Sequence, residues 1–411
     1  MRAVTAGVHA LRQPEILGFV FRVRRRVLVV TLTLLAVAPA AWAQTLDDSY
    51  AVELTRGPVT GPAQVVGMAG AVTSLAAGAG AQTFNPAAVA NRYEYNPDEF
   101  FDWDLEFDGF FTQIVPFRLD LENNGITSDT GGDDVAEIST ALALNFGRLG
   151  VGFTGAATRY SFADDGRTYT VFQIAPTVGY NFFDGQLVVG AGGQLAMATL
   201  KEQVDLLRML GFGFLGGVIY RPQGLPIRAG ASFSTGLIYG NRTQLVDTPP
   251  VGVTLVRGLE VPWQVSLGLS GTIGPRWKNY NRSFGDSAKA KAAVNRPRLY
   301  VTLSGDVVFM GPTDKSVGFE AWAQDTLQPA GEDLTIGFRL GADSEFWQNR
   351  MRGRLGYYYE PSRFQGIDGR HHGTAGMDVY LFDFIFPWRF TWAVDVAPRY
   401  ANVNVSLGVW H

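Results

Sequence analysis

The sequence predicts an all-β protein, a transmembrane antiparallel β-barrel of about 14 strands with an N-terminal hatch segment inside its lumen. Three observations predict it. The chain opens with an export signal, it holds no later apolar run long enough for a spanning helix, and from Phe101 it falls into alternating runs of about ten residues. With spanning helices excluded, a closed barrel is the other way for such an apolar chain to live in a membrane, because all its backbone groups pair between strands.

The export signal comes first. Arg22, Arg24, Arg25 and Arg26 form a basic region, Val27 to Val37 an apolar one, and Ala41-Trp42-Ala43 a cleavage site with small residues at the two positions a peptidase reads. The 26 residues before Val27 make a long basic region, so translation is expected to start downstream of Met1. Gln44 in place of a cysteine excludes a lipoprotein. The expected division is a signal peptide over residues 1–43, an N-terminal extension and hatch over 44–99, and the barrel over 100–411. Removing the signal takes away six Arg and one Glu, leaving 28 basic and 37 acidic residues and a net charge of −9. That balance excludes a nucleic-acid partner, which needs a basic footprint. The chain has no Cys, so neither disulfides nor thiolate metal sites are expected, and no cofactor or metal is implied.

The barrel strands read in order. In Phe101 to Thr112, Trp103, Leu105 and Phe107 face one way, while Asp102, Asp104, Glu106 and Asp108 face the other, a row of acids suited to a wet lumen. Further runs are Ile138 to Phe146, Leu149 to Phe153, Tyr169 to Phe183, Leu187 to Met197, Leu210 to Tyr220 and Ile227 to Tyr239. Val261 to Ile273, Leu299 to Phe309, Leu334 to Phe346, Met351 to Tyr359, Thr374 to Phe384, Phe390 to Val396 and Val403 to Val409 complete the set. Val317 to Ala323 is a weaker candidate assigned to a loop, since bacterial single-chain barrels use even strand numbers. Aromatics near strand ends (Tyr220, Tyr239, Trp263, Trp347, Tyr357 to Tyr359, Trp388, Trp392) read as interfacial girdles. Glycines within strands (Gly147, Gly150, Gly152, Gly155, Gly190, Gly192, Gly193) leave room for something in the lumen.

With both termini periplasmic, the connections from odd to even strands face outward. They include Ile114 to Glu137 with its six acids, Gly240 to Glu260, and Asp368 to Gly373 with the Arg370-His371-His372 triplet. Thr199 to Met209 looks helical, with Val204 and Leu207 on one side. One inward connection is long, Gly274 to Pro297, where Arg276, Lys278, Arg282, Lys289, Lys291 and Arg296 face only Asp286. It reads as a solvated charge run, with contact to a periplasmic partner as the alternative.

The stretch before the strands, GMAGAVTSLAAGAGAQTFNPAA from Gly67 to Ala88, has no counterpart elsewhere in the chain. Together with VIYRPQGLPIRAGASF from Val218, FRLGADSEFWQNRMRGRLGYYYEPSRF from Phe338 and DGRHHGTAGMDVYLF from Asp368, it resembles the FadL/TodX family of outer-membrane channels for long-chain fatty acids and other hydrophobic compounds. The order of these pieces carries the likeness. The resemblance implies a Gram-negative outer-membrane location, with lipid, lipopolysaccharide and the barrel-assembly machinery as partners. It also implies a hatch matched by Gly67, Gly70, Asn85, Pro86 and Ala87, and passive uptake of a hydrophobic small molecule or fatty acid through an apolar pocket with a lateral opening. Asn85 before Pro86 is restricted to extended or turn geometry and its amide can tie the hatch to the wall. Lys201 falls roughly where family members place a base for the fatty-acid carboxylate, although an exposed loop lysine is the commoner role. The acidic pair that family hatches carry is replaced by Ala77, Gly78 and Ala79, and the outer loop between strands five and six is short. The C-terminal alternation puts His411 where such barrels end on an aromatic, with Trp410 beside it.

Two rival classes remain. An enzyme would need a nucleophile beside His371, with Asp368 or Asp378 as its partner, and no nucleophile motif surrounds any Ser, so no catalysis is expected. A FadL-like barrel serving as a surface-protein or secretion partner is the alternative function, suggested by the long basic turn and the short outer loop.

Overall fold

Strict alternation fixes which face of each strand meets lipid, and in the computed structural model it closes into a ring. The structure describes residues 50–54, 57–91, 100–112, 119–126, 134–161, 168–201, 205–244, 258–275, 277, 280–281, 300–323 and 326–410. The expected signal peptide and His411 lie outside these residues.

Fourteen antiparallel strands form the wall. They are β1 Phe101–Phe111, β2 Asp134–Phe146, β3 Leu149–Ser161, β4 Thr168–Phe182, β5 Leu187–Lys201, β6 Asp205–Tyr220 and β7, which is two pieces, Ile227–Ser234 and Leu237–Gln244. Then come β8, also two pieces, Leu259–Val261 and Gln264–Ile273, β9 Val301–Met310, β10 Thr335–Trp347, β11 Met351–Glu360, β12 Arg370–Phe384, β13 Phe386–Ala397 and β14 Tyr400–Val409. The barrel closes where β14 pairs with β1, from Val403↔Phe111 to Gly408↔Glu106. Closure leaves no edge strand, which the hydrocarbon layer requires.

The acidic row of β1 turns inward as the alternation predicts: Asp104 and Glu106 are buried, whereas Phe101 and Phe107 are exposed on the outside. The outer surface is a band of large apolar side chains, among them Ile138, Leu210, Leu269, Phe338 and Leu355. Aromatics such as Trp347, Tyr220 and Tyr357 sit on it, but Tyr239 and Tyr358 turn inward and are buried. Their strand parity, not their nearness to a strand end, decides this.

Several connections differ from the sequence expectation. The described part of Thr199 to Met209 is strand rather than helix: β5 runs to Lys201 and β6 starts at Asp205. Leu200 and Met209 are buried in one apolar cluster with Tyr169, Tyr239 and Leu259, which rewards extending the hairpin beyond the membrane band. The Arg370-His371-His372 triplet lies in β12 rather than in a loop, with Arg370 and His372 buried and His371 on the outside. Residues 316–323 stay off the wall, as a three-residue strand Ser316–Gly318 and a five-residue helix Phe319–Ala323 between β9 and β10. The long inward connection docks back at Tyr280 and Asn281. Asn281 Nδ2 donates to the carbonyls of Leu225 at 2.9 Å and Ile227 at 2.7 Å, and Arg228 stacks on the Tyr280 ring at 4.1 Å. The cationic residues of that turn lie outside the described residues.

Inward glycines mark where the interior is crowded. A Cβ on Gly190 would overlap the Pro86 carbonyl, and one on Gly150 the Val89 carbonyl, whereas Gly193 has nothing within 4 Å. Gly190→Val is therefore expected to lower stability by about 1–3 kcal/mol, and Gly193→Val to change it by less than about 0.5 kcal/mol. Thermal unfolding of the two variants in detergent checks the contrast.

Candidate functional site

Residues 57–91 contain little regular structure, yet nearly all are buried. A buried backbone of this kind must find partners for its amides and carbonyls, and here they come from around the ring. Ala63 N donates to Ser406 Oγ on β14 at 2.9 Å, and Gln64 Nε2 to Glu106 on β1 at 2.8 Å. Ala79 N donates to Asp104 on β1 at 2.7 Å, Thr73 N to Asp306 on β9 at 2.9 Å, and Val59 N to the Tyr358 hydroxyl on β11 at 3.1 Å. Thr374 on β12 donates its hydroxyl to the Gly67 carbonyl at 3.2 Å. Contacts to strands on opposite sides of the ring mean that the segment crosses the lumen.

Two amide side chains fix the other half of the ring. Gln82 Nε2 donates to the Leu142 and Phe153 carbonyls, a facing pair on β2 and β3, at 3.3 and 3.1 Å, while its Oε1 accepts from Thr177 on β4 at 2.5 Å. Asn85 repeats the arrangement three residues later. Its Nδ2 donates to the Thr73 carbonyl at 2.8 Å and to the facing carbonyls of Val218 on β6 and Ala231 on β7, each at 3.3 Å. Its Oδ1 accepts from Ala87 N at 3.1 Å, capping the 3-10 turn Pro86–Ala90. Asn85 has φ −149 and ψ 110, the extended geometry that a following proline demands.

The structure therefore brings Gly67, Asn85, Pro86 and Ala87 into one buried segment inside the ring. Gly70 belongs to the same segment, at φ +70 in a tight turn after Ala69. Lys201 stands apart, exposed on the outward face of β5 at its end. The acids missing from the segment at residues 77–79 are found on the wall instead, as Asp104, Glu106 and Asp306. The β1 alternation made the first two legible; the third sits in a strand with no comparable row.

Between this segment and the end of the barrel that bears the longer loops lies a cavity of about 210 Å³. Phe84, Tyr239 and Leu237 give it apolar walls, and Gln173, Gln194 and Arg339 give it polar ones. It meets the wall at two interruptions. The β4–β5 ladder skips from Ile174↔Leu195 to Thr177↔Gly192, because Pro176 has no amide hydrogen to offer. Between β7 and β8 both strands break, at Thr235-Gly236 and at Pro262-Trp263, with Gly236 at φ +75. Ala175 and Gln194 border the first interruption; Ser234, Pro262 and Gln264 border the second.

The loop end is capped. The strand Ala51–Glu53 pairs in parallel with Leu259–Val261 and Ser316–Gly318, and Glu53 is held by Arg363 at 2.7 Å. His372 bridges Glu360 at 2.7 Å and Asp395 at 2.9 Å, beneath the stacked Tyr358 ring. Beside them, Glu122 and Glu320 clasp each other's backbones. Glu320 accepts from the amides of Leu121 and Glu122 at 3.0 and 3.1 Å, and Glu122 accepts from those of Phe319 and Glu320 at 3.1 and 2.9 Å. The clasp roofs a second cavity of about 50 Å³ that shares Leu54, Pro58 and Tyr160 with the larger one.

Burial pushes the Glu122 carboxyl up to about 8, with the Glu53 and Asp120 carboxylates adding to the effect, and it pushes Glu320 well above the usual carboxylate range, with Glu122 and Asp120 adding to it; the amide donors only partly offset either. A raised carboxyl favours the folded clasp while protonated. Its contribution is complete below the unfolded value of 4.5 and is lost as pH rises through about 8. Hydrogen exchange at the Leu121, Glu122, Phe319 and Glu320 amides should therefore accelerate over that range beyond the intrinsic base-catalysed rise. Glu122→Gln should reduce the excess, and Glu122→Gln with Glu320→Gln should remove it.

No protein-family model matches the chain, and no curated protein matches it in sequence. Solved structures match its fold. A FadL homologue of Pseudomonas aeruginosa aligns with a TM-score of 0.52 at 12% identity, covering 86% of this chain and 99% of that one. The CymD monoaromatic hydrocarbon channel aligns with a TM-score of 0.56 at 14% identity, covering 86% and 97%. Identity this low speaks for the fold and not for the cargo. The chain has the fold of the FadL-like outer-membrane channels.

Proposed function

We propose that this protein is an outer-membrane channel for passive uptake of hydrophobic compounds, with residues 57–91 as its hatch. The reading is supported by the buried segment 57–91, tied to strands around the ring, and by a cavity beside it that reaches the wall where strand pairing fails. A water-filled pore offers nothing to a hydrophobe. A partly apolar cavity does, at about 0.8 kcal/mol for each CH₂ taken from water, and an interrupted wall lets the cargo leave sideways into the bilayer. Gly67, Gly70, Asn85, Pro86 and Ala87 hold the hatch shut. Lipopolysaccharide and lipid surround the barrel, and the assembly machinery inserts it.

The cavity also bears on cargo size. A cavity of about 150 Å³ accommodates benzene, so 210 Å³ suits one ring with short substituents. A long acyl chain needs the hatch to yield.

The absence of native cysteines permits a direct test of the exit. Ala175→Cys with Gln194→Cys staples the β4–β5 interruption, and Ser234→Cys with Gln264→Cys staples that between β7 and β8. In cells dependent on this channel, oxidation of one pair should cut uptake of a labelled monoaromatic hydrocarbon several-fold, and reduction should restore it. Full uptake with both staples closed would contradict a lateral exit, and wild-type uptake no faster than in a deletion strain would contradict the channel.

A further inference from the structure

Gln194 is the unusual group on the cavity wall. It points inward from β5, is only 8% exposed, lines the 210 Å³ cavity, and makes no hydrogen bond with any described residue. Its place in the wall is equally unusual. On one side, Gln194 and Ala175 lie in the stretch where the β4 and β5 ladder is interrupted. On the other, Gln194 faces Gly213 of β6, where a Cβ would strike the carbonyl of Gly236 in the break of β7. Gln194 therefore stands between the two interruptions of the wall. Beyond Ala175 in the same row is Thr154 of β3, which also lines the cavity and whose buried Oγ1 has no partner among the described residues. A rotation about χ1 would bring that hydroxyl into the cavity. Ala175 between the two offers a methyl group and no polar atom.

Buried polar groups are nearly always hydrogen-bonded, and two unmet ones in a single row need a complement. Neither is charged, so the complement is neutral. A hydroxyl fits both, because it donates to the Gln194 Oε1 or Thr154 Oγ1 and accepts from the Gln194 Nε2. We propose that Gln194, assisted by Thr154, is a specificity-determining residue that selects compact neutral aromatics bearing a hydroxyl, the phenols, over plain hydrocarbons. The inference rests on the channel reading and adds the chemical class of its cargo. The ring lies against Leu237, which packs over Gly213, while the hydroxyl meets Gln194 beside the interrupted wall. A site built to hydrogen-bond a hydroxyl rejects the analogue without one, since its own buried groups are then left unpaired.

The test compares p-cresol with p-xylene, which share a body and exchange a hydroxyl for a methyl group. Binding is measured to the full barrel in lipid nanodiscs near neutral pH, corrected for empty discs, and read as the ratio of the two affinities. Gln194→Met should shift that ratio about ten-fold toward p-xylene, the scale of one buried hydrogen bond. Thr154→Val should shift it in the same direction by about three-fold, and Gln194→Asn, which keeps the amide, should retain part of the wild-type ratio. The p-xylene affinity reports the cavity itself, and the isosteric Thr154→Val carries the test if Gln194→Met fails to assemble. A ratio unchanged in Gln194→Met, or in Thr154→Val where that variant carries the test, overturns the proposal and leaves the channel reading standing. A wild type that binds neither probe overturns both.

Discussion

The structure depends on one constraint: an irregular backbone buried inside a barrel must find partners for its amides and carbonyls, within itself or on the wall. Residues 57–91 are mostly buried without belonging to a long helix or a sheet. Many of their amides are met by turns within the segment, such as Val65 N to the Pro62 carbonyl and Ala76 N to the Val72 carbonyl, and others by single side chains from widely separated strands, Asp104, Asp306, Tyr358, Thr374 and Ser406, together with the paired carbonyls reached by Gln82 and Asn85. Each bond is modest, about 1 kcal/mol net, but an unmet buried group would cost more. The wall must also let the segment come close. Gly150, Gly190 and Gly217 stand where a Cβ would strike the segment's own backbone or Asn85, so the barrel's glycines and the segment's small residues form a single fit.

That fit determines where space is left. The segment lies in the lumen with the 210 Å³ cavity on its loop-end side, and the smaller cavity beneath the Glu122–Glu320 clasp adjoins it at Leu54, Pro58 and Tyr160. The same region holds the two interruptions that border the cavity. Proline at 176 and the paired breaks at Thr235-Gly236 and Pro262-Trp263 remove ladder bonds beside the cavity and nowhere near the closing strand pair. Buried segment, cavity and interrupted pairing are thus adjacent.

Much of this fold was legible because a barrel strand has one wet face and one oily face. The alternation of Asp102 to Asp108 against Trp103 to Phe107 gave the inward face of β1 outright, and Asn85-Pro86 marked a rigid tie within a small-residue stretch. What failed to show was anything set by pairing across the ring. Thr199 to Met209 carries a helical spacing, but tertiary contact with Tyr169 and Leu259 draws it into a hairpin. The Arg370-His371-His372 triplet looked like a loop because its charge is high, and a barrel interior can bury such charge when Glu360 and Asp395 lie opposite. Lys201 drew attention as a cation near a strand end, yet parity points it outward.

The central claim is that residues 57–91 close the lumen through their ties to the wall. Single-channel recording in planar bilayers tests it most directly. The wild-type barrel should show no steady ion conductance, and Asn85→Ala, which breaks the tie to β6 and β7, should produce discrete openings as the segment works loose. A wild type that conducts steadily like an open pore, or an Asn85→Ala barrel as silent as the parent, would contradict the account.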